Sequence, residues 1–214
     1  MSDLLSVPYA DAMALPVPTG LSAEECAATG CNLVDLHRTI APYLTEFPDP
    51  SVLIVGGHAH NMALYGVVIA KALGIDRVDF LDDAPHRLAA AEALGARPVL
   101  LADTNLTDLY QIVVDCSGDV DRLAIALGGL GPDGVCTPVW PHIGSVTIPV
   151  GSMFMRNGRL VTGQPHARAH MDPVLALMAQ GKFSSLSIPT EILPWESASE
   201  SFGFSEVKRI FVRN

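Results

Sequence analysis

Two adjacent glycines, an acid further along the chain and scattered histidines and cysteines are the residues of this 214-residue sequence best able to do chemistry. Gly56 and Gly57 follow the apolar run Val52-Leu53-Ile54-Val55 and precede a second apolar stretch from Met62 to Leu73. Glycines let the backbone bend tightly, and a helix beginning after them presents unpaired N–H groups and its positive dipole end to an anion. A pyrophosphate fits such a seat. The segment Gly56-Gly57-His58-Ala59-His60-Asn61-Met62-Ala63 departs from G-x-G-x-x-G in its longer loop, with Ala63 as the later small residue. Asp82 lies about 26 residues after Gly56, near the spacing of roughly 20 at which an acid bonds a ribose 2′-hydroxyl. A carboxylate there repels a 2′-phosphate and favours NAD over NADP, while Arg87 is near enough to reach a phosphate. The structural alternative is that Asp82, Asp83 and Pro85 end a strand and start a helix, with Asp83 as its cap.

The other titratable residues give weaker patterns. His166 and His170 stand four apart, as two ligands on one helix face would, but no carboxylate lies between them and Pro165 precedes them. A solvated pair near a helix start is expected there, and His37 with Asp35 reads as a helix-surface pair. Cys26, Cys31, Cys116 and Cys136 form no C-x-x-C pair, so reduced thiols are expected, with Cys116 and Cys136 buried in strands.

The elements that must position these residues alternate. Residues 6–20 are Pro-punctuated and read as irregular, Ser22 with Glu25 forms a capping box, and one or two helices run on to Leu44. From Ser51 the pattern is strand, glycine turn, helix, strand (Val78 to Asp82), helix (Pro85 to Leu94), a short strand near Pro98 and a buried strand from Gln111 to Asp115. Asp119 or Asp121 caps a helix through Leu127, a Gly-rich turn spans Gly128 to Gly134, and Val135 to Trp140 is strand again. Beyond Pro141 the pattern predicts strands at Arg159 to Thr162 and Lys208 to Val212, and a helix from Met171 to Met178. Such alternation specifies an α/β fold of Rossmann type: a doubly wound parallel sheet with helices on both faces.

Composition narrows the function classes. A formal net charge of -10 repels a nucleic-acid backbone, and no apolar interval reaches membrane-spanning length. Met1-Ser2-Asp3 opens no signal-peptide pattern, so a cytoplasmic protein binding neither nucleic acid nor membrane is expected.

The ordered segments "VLIVGG", "LYGVVIAKALG", "RVDFLDD", "HRLAAAEALGA", "QIVVDCSG", "GLGPDGVCTPV" and "VKRIFV" resemble the medium-chain dehydrogenase/reductase superfamily, specifically its zinc-type alcohol dehydrogenases. The resemblance implies NAD(H) binding and hydride transfer between the cofactor and a small alcohol, aldehyde or ketone. It implies that Gly56 to Ala63 hold the pyrophosphate, that Asp82 holds the adenosine ribose, and that Cys116-Ser117-Gly118, Val139 and Thr162-Gly163 line the nicotinamide side. His58 and His60 stand where the family has small residues, and their imidazoles can donate to phosphate. Arg168 is implied to pass near the cofactor cleft. Cys31 matches the position of one zinc ligand, but no Cys or His precedes Cys26, and one thiolate does not hold a catalytic metal. Zinc is therefore expected only if the missing ligands come from elsewhere. The implied organisation is a remnant of a truncated catalytic domain over 1–30, the dinucleotide-binding domain over 31–165, and a segment returning to the catalytic domain over 166–214. A homodimer through an edge strand within Val146 to Gly163 is also implied. From a different class, a non-catalytic dinucleotide-binding or regulatory module remains open.

Overall fold

The computed structural model describes residues 6–103, 108–203 and 205–213. The opening Met1-Ser2-Asp3 and Phe204 lie outside the described residues. Two short helices, α1 (Ala10–Met13) and α2 (Ala23–Cys26), come first. Ser22 and Glu25 exchange both bonds of the expected capping box at α2. The one or two helices expected next are formed as a broken series: a π-helical turn at Thr29–Leu33 leads into α3 (Val34–Ile40), and Pro42 falls in a 3-10 turn, Ala41–Thr45. Gly30 and Pro42 supply the physical reason, since neither sustains a regular α-helix.

The sheet is then built by β1 (Val52–Val55), α4 (His60–Ala72), β2 (Val78–Asp82), α5 (Pro85–Ala93), β3 (Arg97–Leu100), β4 (Tyr110–Asp115), α6 (Val120–Gly128), β5 (Leu130–Pro138), α7 (Val150–Arg156) and β6 (Arg159–Leu160). The chain finishes with α8 (Ala167–Ala179), β7 (Thr190–Pro194), α9 (Ala198–Ser201) and β8 (Lys208–Val212). β1 to β6 form one six-stranded sheet in the order β3-β2-β1-β4-β5-β6, every pair parallel. β7 and β8 form a separate parallel pair. β5 begins five residues before the predicted Val135: Tyr110 pairs with Leu130, then Ile112 with Val135, so the Gly131-Pro132-Asp133-Gly134 turn is looped out within the strand.

Both faces of the sheet are covered, which explains the unbroken apolar strands. Val52, Ile54, Phe80, Ile112 and Val114 pack with α3, α4, α5 and α8 on one face, while Leu53, Val55, Leu81 and Val113 pack with α6 and the start of β5 on the other. Beneath the sheet's amino-terminal side the buried Asp79 carboxylate accepts from Arg97 at 2.6 and 2.9 Å and from the Tyr110 hydroxyl at 2.6 Å.

Two histidine expectations are corrected. His37 and Asp35 are not a surface pair: both are buried, because α8 packs across α3. His170 is half-buried, not a freely solvated imidazole; its Nδ1 lies 2.9 Å from Nδ1 of His37, while Asp35 binds Arg38. Burial, followed by the His170 charge, lowers the His37 pKa to about 4. Of the pair His166 and His170, His166 is the exposed one. No helix among the described residues is long and apolar enough to cross a membrane.

Candidate functional site

Strand order reverses between β1 and β4, and ligands of open parallel sheets bind beyond the carboxyl ends of the strands at such a reversal. The chain leaves β1 through Gly56 and Gly57. At Gly57 φ is +150°, and a Cβ there would lie 2.7 Å from the Ser117 Cα, so the backbones after β1 and β4 meet only because the residue is glycine. The His58 N–H donates to the Ser117 carbonyl at 3.0 Å and the Ala59 N–H to the Cys116 carbonyl at 3.1 Å. Two of the predicted loop donors are thus spent in joining the two turns. α4 starts at His60 without a side-chain cap, so its first-turn N–H groups remain the anion-facing donors.

Asp82 ends β2 beside this turn, and a Cβ on Gly56 would run into its carboxylate. Its Oδ1 accepts from the backbone N–H groups of Asp83 (2.7 Å) and Ala84 (3.0 Å). The acid that ties down the start of α5 is therefore Asp82, and the expected cap, Asp83, instead pairs with Arg122 at 2.6 Å. Asp82 is fully buried under two arginines. Arg87 Nη1 donates to the Gly57 carbonyl and lies 3.5 Å from Asp82 Oδ2; Arg122 Nη1 donates to the Gly56 carbonyl and lies 3.8 Å from Asp82 Oδ1. Burial, then the Asp83 carboxylate, pushes the Asp82 pKa up. Asp83, hydrogen-bonded to Asp82 and Arg122, lies below the usual range.

Above this floor is a cavity of about 220 Å³. That is less than the roughly 300–1,000 Å³ of whole small-molecule sites, and suits a diphosphate or a ribose phosphate. Six predicted residues line it: Gly57, His58, His60, Asp83, Arg87 and Ser117. Asp119, Arg122 and Glu206 complete it. Asp119 caps α6 through the N–H groups of Asp121 and Arg122. Glu206 Oε2 lies 3.4 Å from His86 Nε2 and 3.8 Å from His60 Nε2. Partial burial pushes the Glu206 pKa up, but the His86 hydrogen bond and the charges of His60 and Arg87 outweigh it and bring it below the usual value.

Other predicted residues stand apart from the cavity. Met62 and Ala63 pack into the core, and Asn61 lines a neighbouring groove with Lys208 and Arg209. Cys116 is fully buried, and burial, then Asp115, raises its thiol well above the ordinary range. Gly118, in the left-handed region at φ +64°, passes directly under the Trp140 indole, where a side chain would collide. Val139 packs against the core, while Thr162 and Gly163 are exposed beyond β6, with the Gly163 carbonyl accepting from Arg38. Arg168 binds Asp172 and the Ala12 carbonyl.

Three contributors escaped the sequence pattern. Arg122 sits on the first turn of an otherwise ordinary helix, Glu206 in a segment without periodicity, and His142 in a Pro-rich loop. His142 Nε2 lies 2.9 Å from the buried Asp115 carboxylate, whose other oxygen accepts the Ser117 N–H, so this dyad pins the loop after β5 over the end of β4. Only the wide spacing of Gly, Asp and Arg was a usable signal.

Cys31 is exposed on the π-helical turn, and among the described residues no three His, Cys, Asp or Glu converge on a metal position. The donors present do not fit a catalytic zinc.

A parallel doubly wound sheet with a glycine turn and basic groups at its strand reversal is an α/β fold of Rossmann type. No family model matches the chain, and no curated protein does. Solved structures do. An alcohol dehydrogenase from Thermus sp. ATN1 (TADH) superposes with a TM-score of 0.79 at 23% identity over 92% of this chain and 62% of that one. A short chain alcohol dehydrogenase (rspB) from E. coli CFT073, solved with NADH, gives 0.78 at 12% identity, over 92% and 62%. A protein of Sinorhizobium meliloti 1021 described as a zinc-binding dehydrogenase and solved bound to NADP gives 0.71 at 17%, over 92% and 61%. The chain spans about three fifths of the length of these proteins. Its fold is one shared with oxidoreductases of the alcohol dehydrogenase type.

Proposed function

We propose that the chain is the dinucleotide-binding part of a nicotinamide-dependent oxidoreductase that moves hydride between NAD(H) and a small alcohol, aldehyde or ketone. The observation that carries this reading is the glycine turn at the strand reversal, opening onto a cavity formed by the first turn of α4 with Arg87 and Arg122. The neighbours solved with NADH and with NADP support a nicotinamide cofactor, and Asp82 supports the form without a 2′-phosphate. The cofactor supplies the hydride chemistry when bound. The first-turn N–H groups of α4, the His58 and His60 imidazoles and Arg87 hold the diphosphate. Asp82 meets the adenosine ribose once Arg87 and Arg122 release the carbonyls of Gly57 and Gly56. Residues 31–165 form the cofactor domain and 166–214 the return to the substrate side. Two copies pair along the β6 edge, where Ile143, Val150, Phe154 and Met155 are exposed.

Titration calorimetry with NADH and NADPH tests the reading. Binding of NADH, tighter than NADPH, is the expected result; no heat with either coenzyme overturns it. A second reading, a binding module without turnover, is favoured by the finding that among the described residues no three metal donors converge, at Cys31 or elsewhere. Alcohol-dependent NAD reduction, with and without added zinc, separates the two: turnover supports the enzyme, and binding without turnover supports the module.

A further inference from the structure

Three acids line the cavity, and two of them have structural work. Asp83 is paired with Arg122, and Asp119 caps α6. Glu206 differs: among the described residues the polar partners of its carboxylate are the imidazoles of His60 and His86, beside Arg87. It is delivered by the segment just ahead of β8, which pairs with β7 outside the main sheet. His60 is the first residue of α4, so this carboxylate sits at the positive end of the helix beside the seat proposed for a diphosphate. Its contacts of 3.4 and 3.8 Å to a largely exposed His86 and to His60 are long, and Glu206 is itself half exposed, so displacing it requires little.

We infer that Glu206 is an internal competitor for the phosphate groups of the ligand, occupying the imidazoles of His60 and His86 in the free protein and setting how tightly a dinucleotide binds. The inference rests on the dinucleotide reading of the same cavity. A phosphate entering the site meets a like charge unless Glu206 swings into solvent. Once it does, the imidazoles of His60 and His86 exchange that carboxylate for the ligand's phosphate, beside Arg87 on the Gly57 carbonyl. The recognised chemistry is a diphosphate ester, and the C-terminal segment thereby reports on occupancy of a site built mainly by α4 and α5.

Calorimetry on the full chain tests this with NADH and with inorganic pyrophosphate as probes, comparing wild type, Glu206→Gln and Glu191→Gln. Glu191 is an exposed β7 carboxylate paired with Arg209 and controls for net charge. Glu206→Gln is expected to tighten both probes by about tenfold, as removal of one close like charge does, with Glu191→Gln unchanged. Equal NADH affinity in wild type and Glu206→Gln overturns the inference and leaves the dinucleotide reading intact, as does equal tightening by the Glu191 variant. If NADH binds to neither form, that reading fails. The competitor role then stands on tighter pyrophosphate binding by Glu206→Gln, and falls without it. A thermal midpoint within about 2 °C of wild type shows that the variant is folded.

Discussion

A carboxylate with no access to water is stable only when its partners replace the water, and Asp79 and Asp82 solve that problem differently. Burial pushes the Asp79 pKa up, but hydrogen bonds from Arg97 and Tyr110 and the charges of Arg97 and Arg77 outweigh it, leaving it below the usual value. With the folded pKa depressed, the stability this group contributes is full above its unfolded pKa of about 3.9 and is lost as pH falls through the lower folded value. Asp79→Ala strands the buried Tyr110 hydroxyl and leaves Arg97 with Asp108, and should cost about 2 kcal/mol in urea unfolding at pH 7, an effect that shrinks below about pH 4. Asp82 accepts from two backbone N–H groups and lies 3.5 and 3.8 Å from Arg87 and Arg122, and burial, then the Asp83 carboxylate, raises its pKa. Asp82→Asn should weaken NADH binding about tenfold in calorimetry; unchanged affinity would remove Asp82 from the ribose site. The Gly–Asp spacing was legible because it reflects one βαβ unit. Arg122, His142 and Glu206 were not, because they reach the site from α6, a Pro-rich loop and the last segment, and no local pattern records that convergence.

Elements decide two further outcomes. The turn after β1 touches the turn after β4 backbone to backbone, so Gly57→Ala forces the Ser117 Cα aside at a φ that L side chains rarely adopt. Loss of about 2 kcal/mol of stability and of measurable NADH binding is expected, from urea unfolding and calorimetry. α3 and α8 meet through His37 and His170, and burial holds the His37 pKa near 4. The unfolded chain, with a histidine pKa of about 6.5, takes up the proton first as pH falls. Stability should therefore be full above about pH 6.5 and decline toward pH 4, by on the order of 2 kcal/mol. His37→Phe should flatten that slope in urea midpoints measured from pH 7 to pH 4.5. Alternating apolar strands and helices announced the elements themselves. The breakage of the first helix and the looped-out start of β5 were less visible, since Gly30 and the Gly131 to Gly134 run each permit more than one backbone path.

At the scale of the whole molecule, the two core layers on either side of the sheet account for the apolar composition, and the chain spans only part of the length of the dehydrogenases whose fold it shares. Exposed Ile143, Val150, Phe154 and Met155 beside the two-residue strand β6 give the open sheet edge an apolar flank. Light scattering behind size exclusion should give a dimer for the wild type and a monomer for Phe154→Glu with Met155→Glu; a monomeric wild type would remove the edge pairing proposed above.

The amino-acid sequence by itself determined the alternation of strands and helices, the glycine turn and the acid one strand later, because each depends on residues near one another in the chain. Tertiary structure alone decided that Asp82 lies beneath two arginines, that His37 is buried against His170, and that Glu206 enters the cavity. Those facts depend on which distant segments pack together, and burial and charge act through space, whatever the separation along the chain.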